Sequence, residues 1–188
     1  MGNDKKKQKF KEGAIVKIKL SNNQVVFGRL LPGFHVGIYD WVVKQDENIP
    51  DIASITVHSI FLYVRIFKDV VVKGIFEIIG FKELSSSDIN DMPPHFKQNQ
   101  SNFEECKIYY EDGKEIKATP QECLGLEGPI VWDAASLVNR IQNYYQGKKN
   151  PYVELNKVIL SESDPRYLTP PKALRWDFEM QEFYRVDK

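Results

Sequence analysis

This chain of 188 residues has no excess of positive or negative charge, no long apolar run and only two cysteines. The formal net charge is zero, and outside the lysine-rich residues 5–11 the sequence has no basic stripe of the kind that nucleic-acid-binding proteins carry. The longest apolar run, residues 59–64, ends at Arg65 and is far too short to cross a bilayer. No apolar run of signal-peptide length follows the lysines at the start. These absences predict a cytoplasmic protein whose partner is neither nucleic acid nor a membrane.

Cysteine and histidine are too few and too scattered for most site chemistry. The two cysteines, Cys106 and Cys123, flank a predicted hairpin, and a disulfide would need their Cα atoms within about 7 Å. Two reduced, buried thiols are the commoner arrangement in the cytosol, so their pairing stays open. Two cysteines without a neighbouring histidine do not make a zinc site. The three histidines fall on different elements, and no glycine-rich phosphate loop precedes a helix. We therefore expect no metal, no cofactor and no catalytic residue.

What the sequence does contain is a dense run of β-branched and aromatic residues from 13 to 84. Residues 14–20 alternate between an apolar and a largely charged face, which is typical of a half-buried strand. Pro32-Gly33 predicts a turn, and Gly28 within the second strand indicates a bulge or a close backbone approach. Five short strands joined by tight turns predict a strongly bent antiparallel sheet or a small open barrel.

The second half of the chain predicts a smaller set of elements. Residues 85–103 have the serine- and proline-rich composition of a linker, and Asp112-Gly113 is a strong hairpin signal. Residues 132–146 carry apolar side chains at helical spacing, and 153–160 a strand pattern. The predicted class is α+β, mainly β, with this one helix packed on the sheet. The predicted organisation is a mobile basic leader 1–12, a single domain 13–147 (β-core 13–84, linker 85–103, hairpin and helix 104–147), and an extension 148–188 packed on that domain.

Two places could contact a partner. Asp40-Trp41 ends the third predicted strand, where a tryptophan can supply buried area and a carboxylate specificity; the alternative is a core tryptophan beside a turn-capping aspartate. An acidic cluster surrounds the predicted hairpin and could steer a basic partner; the alternative is an ordinary hairpin with lysines interspersed. The acidic cluster consists of Glu104, Glu105, Glu111, Asp112 and Glu115.

The order of short motifs along the chain is similar to that of a known family. The first half reads Phe27-Gly-Arg-Leu, then Val36-Gly-Ile-Tyr-Asp40, then Phe76-Glu-Ile-Ile-Gly80. The second half continues with Thr119-Pro-Gln-Glu-Cys-Leu-Gly-Leu-Glu127 and Val131-Trp-Asp133. Residues 10–147 thereby resemble the immunity protein 26 family of bacterial polymorphic toxin systems.

The resemblance implies a cytoplasmic antitoxin that binds and neutralises a cognate toxin without being an enzyme. Gly28, Asp40, Glu127 and Trp132 correspond to recurrent family positions, although Glu127 and Trp132 would equally hold the helix to the sheet. The acidic cluster would suit a basic toxin such as a nuclease. The alternative function is a small β-barrel adaptor that recognises a peptide or nucleic acid. A third hypothesis is a hydrolase that uses Asp40 with a second carboxylate. Such chemistry requires a particular distance between the two carboxylates, which sequence alone cannot show.

Overall fold

The computed structural model describes residues 7–169 and 171–186. They form two compact units: the first comprises the described residues up to Met92 together with Val131–Gln142, and the second Pro93–Ile130 together with the described residues from Asn143 onward. The described chain holds eleven strands and five short α-helices, so the predicted class, α+β and mainly β, is confirmed. The predicted division into leader, domain and extension stays a prediction.

The strands, in chain order, are β1 Ala14–Lys19, β2 Gln24–Leu31, β3 His35–Lys44, β4 Ile60–Ile66, β5 Glu77–Phe81, β6 His95–Gln98, β7 Cys106–Tyr109, β8 Glu115–Ala118, β9 Val131–Trp132, β10 Leu174–Asp177 and β11 Glu182–Arg185. The α-helices are α1 Ile52–Thr56, α2 Asp69–Val72, α3 Ser86–Asn90, α4 Ala134–Tyr145 and α5 Pro151–Leu155. Short 3-10 turns join several of them, including Pro32–Phe34 between β2 and β3.

The first unit is built on one six-stranded sheet in the order β5-β1-β2-β3-β4-β9. All neighbours are antiparallel except β4 and β9, which run parallel. Register shifts interrupt three of the strand pairs, and such bulges bend the strands that carry them. Within the described residues the sheet stays open, with β5 and β9 as its edges. The sheet is therefore bent and not closed into a barrel, in agreement with the predicted bent sheet or small open barrel.

Gly28 marks one of these bulges. The β2–β3 register shifts between Val26 and Gly28. A Cβ atom at position 28 would lie 2.7 Å from Cγ2 of Val36 and 3.2 Å from Cδ1 of Ile38. The predicted bulge is thus present, and side chains of β3 lie too close for a Cβ atom at position 28, so packing explains this glycine.

One core cluster of the first unit gathers side chains from β1, β2, β3 and α1. Its fully or almost fully buried members are Ile15, Val25, Phe27, Tyr39 and Ile55. The alternation predicted for residues 14–20 puts Ile15 on the largely charged face. Ile15 is nevertheless completely buried, because this cluster covers that face at the start of β1.

The second unit contains a three-stranded antiparallel sheet in the order β6-β7-β8. The predicted hairpin is confirmed: Gly113 adopts φ +85° at the turn, and Tyr110 N donates to Lys114 O at 2.9 Å. Residues 85–103 are not the plain linker that was predicted. Ser85 and Asp88 form a capping box that starts α3, and β6 pairs with β7 along its whole length.

The predicted strand at 153–160 is also wrong. The Asn150 side chain accepts hydrogen bonds from Tyr152 N at 3.0 Å and Val153 N at 3.2 Å, and Pro151 fills the first helical position. These signals start α5 and override the β pattern. Farther along, Val158 is buried in the small core of this unit, whose other members are Phe96, Cys106, Ile108 and Cys123.

The predicted helix at 132–146 is confirmed as α4. The Asp133 carboxylate accepts hydrogen bonds from Ser136 N at 3.0 Å and Ser136 Oγ at 2.7 Å, which caps its start. Leu137 and Ile141 are completely buried, and Gly147 follows the helix with φ +65°. Among the described residues no helix has the length and apolarity needed to span a membrane.

The basic leader is described from residue 7 onward, and the mobility predicted for residues 1–6 lies outside the described residues. Gln8 is held in place. Its side-chain amide donates to Val71 O at 2.9 Å and Phe76 O at 2.8 Å, and its Oε1 accepts from Ile78 N at 2.8 Å. This end of the leader is therefore anchored beside edge strand β5.

Candidate partner-binding surfaces

Asp40 and Trp41 lie where β3 separates from β4. The last paired residues are Tyr39 and Ile60, after which Asp40 N donates to Ser59 O at 2.8 Å. Asp40 is exposed, whereas Trp41 is half-buried and packs against the core of the first unit. The indole also stacks on the His58 ring, with 4.3 Å between centroids and 21° between planes. The tryptophan thus packs on the core and on His58, and it stays partly exposed next to the exposed Asp40 carboxylate.

The five carboxylates of the acidic cluster are all exposed, and most of them have local partners. Glu115 accepts from Lys107 Nζ at 3.0 Å, and Glu105 accepts from Asn99 Nδ2 at 2.9 Å. An oxygen of Glu111 lies 3.7 Å from His95 Nε2. The Asp112 carboxylate accepts a hydrogen bond from Lys114 N at 2.9 Å, which stabilises the turn. These contacts break the cluster into separate carboxylates with neighbours of their own.

Lysines line the same sheet in a pattern that sequence reasoning missed. Lys97 on β6 pairs with Lys107 on β7, and Lys107 pairs with Lys117 on β8. All three side chains are exposed. We call these three residues the lysine row. A two-residue Asp-Gly turn would have placed Lys107 opposite Ala118, whereas the observed turn places it opposite Lys117. Lys97 fell in the segment predicted to be a linker.

The lysine row lines an open groove of about 1100 Å³ in the second unit. Tyr109 and the carboxylates of Glu104 and Glu105 also line the groove. The hydrogen bond from Lys107 to Glu115 raises the pKa of the Lys107 ammonium above its usual value, so it stays charged well above neutral pH. The groove therefore offers both positive and negative charge.

The remaining positions that the resemblance singled out have structural contacts. Trp132 is 1% exposed, and the Arg140 guanidinium of α4 lies 4.9 Å from the centre of its ring. The Trp132 contact thus joins α4 to strand β9 of the sheet. Glu127 lies in the second unit, where its carbonyl accepts from Phe96 N at 3.0 Å. This contact extends β6 by one parallel bridge.

A buried arginine was also missed. Arg29 on β2 is 3% exposed, and its Nη1 donates to Asp88 Oδ1 at 2.6 Å. Its Nη2 donates to the carbonyls of Lys82 and Glu83. Burial tends to raise the pKa of Asp88, but hydrogen bonds from Ser85 and the charge of Arg29 outweigh it and hold that pKa below its usual value. The arginine fastens the segment after β5 to the sheet interior.

The two cysteines are free thiols, both buried. Burial, with a smaller contribution from neighbouring Cys123, raises the pKa of the Cys106 thiol to about 12. Burial likewise raises the pKa of Cys123. A thiol needs a lowered pKa to act as a nucleophile at neutral pH. These cysteines behave as small core residues.

An open bent sheet in one unit and a small charged sheet in the other define a mainly β protein of the α+β class. Residues 11–107, just over half of the chain, match the family model described as Immunity protein 26. The chain belongs to this family. The match ends at Lys107, so the later motifs of the resemblance lie beyond it. No curated protein and no solved structure matches the chain.

Proposed function

We propose that this protein is an antitoxin that binds a cognate bacterial toxin in the cytoplasm and neutralises it by non-covalent association. The observation that carries the proposal is the family match, which covers the whole sheet of the first unit except β9. The raised pKa values of both buried thiols argue against either cysteine acting as a nucleophile. On this proposal the protein is not an enzyme, and its partner is a protein.

The first proposed contact is Asp40 with Trp41. A rigid aromatic that the core holds from one side offers contact area at low entropic cost, because the stacked His58 and the core already fix its orientation. The exposed carboxylate next to it adds a charged contact whose geometry the sheet fixes. Residues with this combination of aromatic area and polar specificity commonly dominate the energy of protein interfaces.

The second proposed contact is the acidic cluster, which would meet basic groups of the toxin. Exposed charges of this kind act mainly on the association rate, and salt screens their effect. Reversing Glu111, Asp112 and Glu115 to lysine should therefore slow association at low salt and leave the dissociation rate nearly unchanged. Unchanged association would remove the acidic cluster from the interface.

The decisive experiment uses the polypeptide encoded next to this gene as the candidate toxin. Co-expression should protect cells from it, and purified proteins should form a stable complex in an unbiased pull-down. Recovery of many peptide-bearing proteins or of nucleic acid would favour the small adaptor. Failure of the neighbouring polypeptide to bind or to be neutralised would contradict the antitoxin proposal.

Two variants locate the contact on the first unit. Asp40→Lys should weaken the complex about 10-fold or more, because a central interface charge would be reversed. Asp46→Lys is the matched control, since Asp46 is an exposed aspartate in the loop that follows β3. Equal affinities for the two variants would remove Asp40 from the interface.

A further inference from the structure

The lysine row places three like charges side by side on one sheet face. Residues paired across antiparallel strands project to the same face, with Cβ atoms about 4.5–5.5 Å apart. The pairs Lys97 with Lys107 and Lys107 with Lys117 satisfy this condition on two successive strand pairs. The three ammonium groups can therefore converge on one ligand without any backbone movement.

This arrangement is unfavourable in the unbound protein, because like charges directly opposite each other destabilise a sheet. Glu115 partly offsets the cost through its ion pair with Lys107 at 3.0 Å. Within the described residues, neither Lys97 nor Lys117 has a carboxylate at ion-pair distance. An acidic ligand would remove the repulsion, so the row is poised to gain more from such a ligand than isolated lysines would.

The groove that contains the lysine row is large enough for a polypeptide segment. Its volume of about 1100 Å³ slightly exceeds the roughly 300–1000 Å³ that is typical of small-molecule pockets. Half-buried Tyr109 lies two residues beyond Lys107 on the same face of β7 and adds apolar area beside the charges. A chain lying across the strands could place side chains against all three lysines.

The surrounding charges select among anionic ligands. Glu104 and Glu105 line the groove, and Glu115 stands beside the row on β8. A long polyanion such as nucleic acid would meet these carboxylates as soon as it extended past the lysines. A short segment with one or two carboxylates and basic or neutral neighbours fits a groove lined by both lysines and carboxylates.

We propose that the lysine row binds an acidic segment of the partner toxin. This inference rests on the proposed antitoxin function and adds to it a site with a stated ligand chemistry. Lysines act here as point charges on flexible stems, which suits carboxylates that approach from a separate chain. The carboxylates that line the same groove then meet the basic residues that flank the acidic segment.

The test compares two triple variants of the full chain. The row variant carries Lys97→Gln, Lys107→Gln and Lys117→Gln. The control variant carries Lys114→Gln, Lys148→Gln and Lys172→Gln, which removes three exposed lysines of the same unit that do not line the groove. Affinity for the neighbouring-gene toxin is measured by calorimetry at low and high salt. The row variant should bind about 10-fold more weakly at low salt, and the control within about 2-fold of the parent protein.

Thermal unfolding checks that the row variant is folded. Its melting temperature should equal or exceed that of the parent protein, because a like-charge repulsion has been removed. The single variants Lys97→Gln and Lys117→Gln provide the same comparison if the triple variant unfolds. Carbodiimide crosslinking of the parent complex should join the row lysines to carboxylates of the toxin, which identifies the segment.

The outcomes separate this inference from the function on which it rests. Parent-like affinity of the row variant, or crosslinks that avoid all three lysines, would overturn the inference and leave the antitoxin function standing. A parent protein that fails to bind the toxin would overturn the proposed function itself. Row-dependent binding of a single-stranded oligonucleotide in place of the toxin would replace the proposed ligand by nucleic acid.

Discussion

The main sheets of the two units carry their charges differently, although each unit also holds an arginine paired with a carboxylate, Arg29 in the first and Arg166 in the second. The first unit buries Arg29 and satisfies it with Asp88 and two carbonyls, so that its charge supports the fold. The second unit has a small core and carries the lysine row and acidic cluster on its surface. Buried, paired charge fixes a conformation, whereas exposed like charge lowers stability and favours a ligand of opposite sign. The comparison predicts that substitutions of buried groups, such as Asp88 beside Arg29, act chiefly on folding and that substitutions of the exposed lysine row act chiefly on binding.

The largest effect expected from this comparison is on core phenylalanines. Phe27→Ala removes a completely buried ring from the first core and should lower the free energy of unfolding by about 3–5 kcal/mol. Phe96→Ala, in the smaller core beside the open groove, should cost at most about 3 kcal/mol, because water can enter the space left. Urea unfolding followed by circular dichroism measures both losses.

Phe178→Ala is the control, since that side chain is 81% exposed and its loss should change stability by less than about 0.5 kcal/mol. A larger loss for Phe96→Ala than for Phe27→Ala would reverse the comparison.

The next largest effect is on the buried ion pair. Asp88→Asn should lower the free energy of unfolding by about 1–3 kcal/mol at pH 7, because Arg29 then lacks its carboxylate partner. The pKa of Asp88 lies below its ordinary 3.8, so its stabilisation is present above that pH and is lost as the pH falls through the lowered value. The difference between parent and variant should therefore shrink below about pH 4.

Thermal melts from pH 7 to pH 3 measure this pH dependence. Asp91→Asn is a suitable control, because Asp91 is an exposed aspartate just after the same helix α3. A difference between the parent and Asp88→Asn that persists undiminished at pH 3 would show that the charge of Asp88 is not what holds Arg29.

The smallest effect tests whether the core of the second unit excludes solvent. Burial and a thiol pKa of about 12 keep Cys106 protonated, so alkylation by iodoacetamide at pH 8 should be close to undetectable in the native protein. Mass spectrometry before and after unfolding in urea gives the measurement, and complete labelling in urea is the internal control. Rapid native labelling would show that this core opens more readily than its burial indicates.

Local signals allowed part of this structure to be predicted. The Asp-Gly turn, the glycine bulge at Gly28 and the capped helix α4 each depend on a few neighbouring residues, and all three are confirmed. Strand β6 was missed because its four residues form a strand only through pairing with β7. Helix α5 was missed because an apolar pattern was given more weight than the Asn-Pro start.

The candidate surfaces likewise divide into those that neighbouring residues reveal and those that depend on tertiary structure. Asp40 and Trp41 are adjacent in sequence, so their proximity needed no tertiary information. The lysine row needed the register of three strands, one of which had been predicted as linker. Arg29 gave no sequence signal at all, because a lone arginine in a strand pattern is usually an exposed residue. Its partner Asp88 lies 59 residues away and is brought near by the path of the chain after β5.

Gln8 has a consequence for how the chain avoids association with its own copies. Strand β5 is an edge of the six-stranded sheet, and unpaired edges are where sheets add strands from other molecules. The Gln8 side chain occupies the Ile78 N–H of β5, the Phe76 carbonyl just before that strand and the Val71 carbonyl of α2. A chain shortened past this glutamine would leave the Ile78 N–H open to another strand. A residue in a leader that looks dispensable therefore blocks one hydrogen-bonding position on this edge.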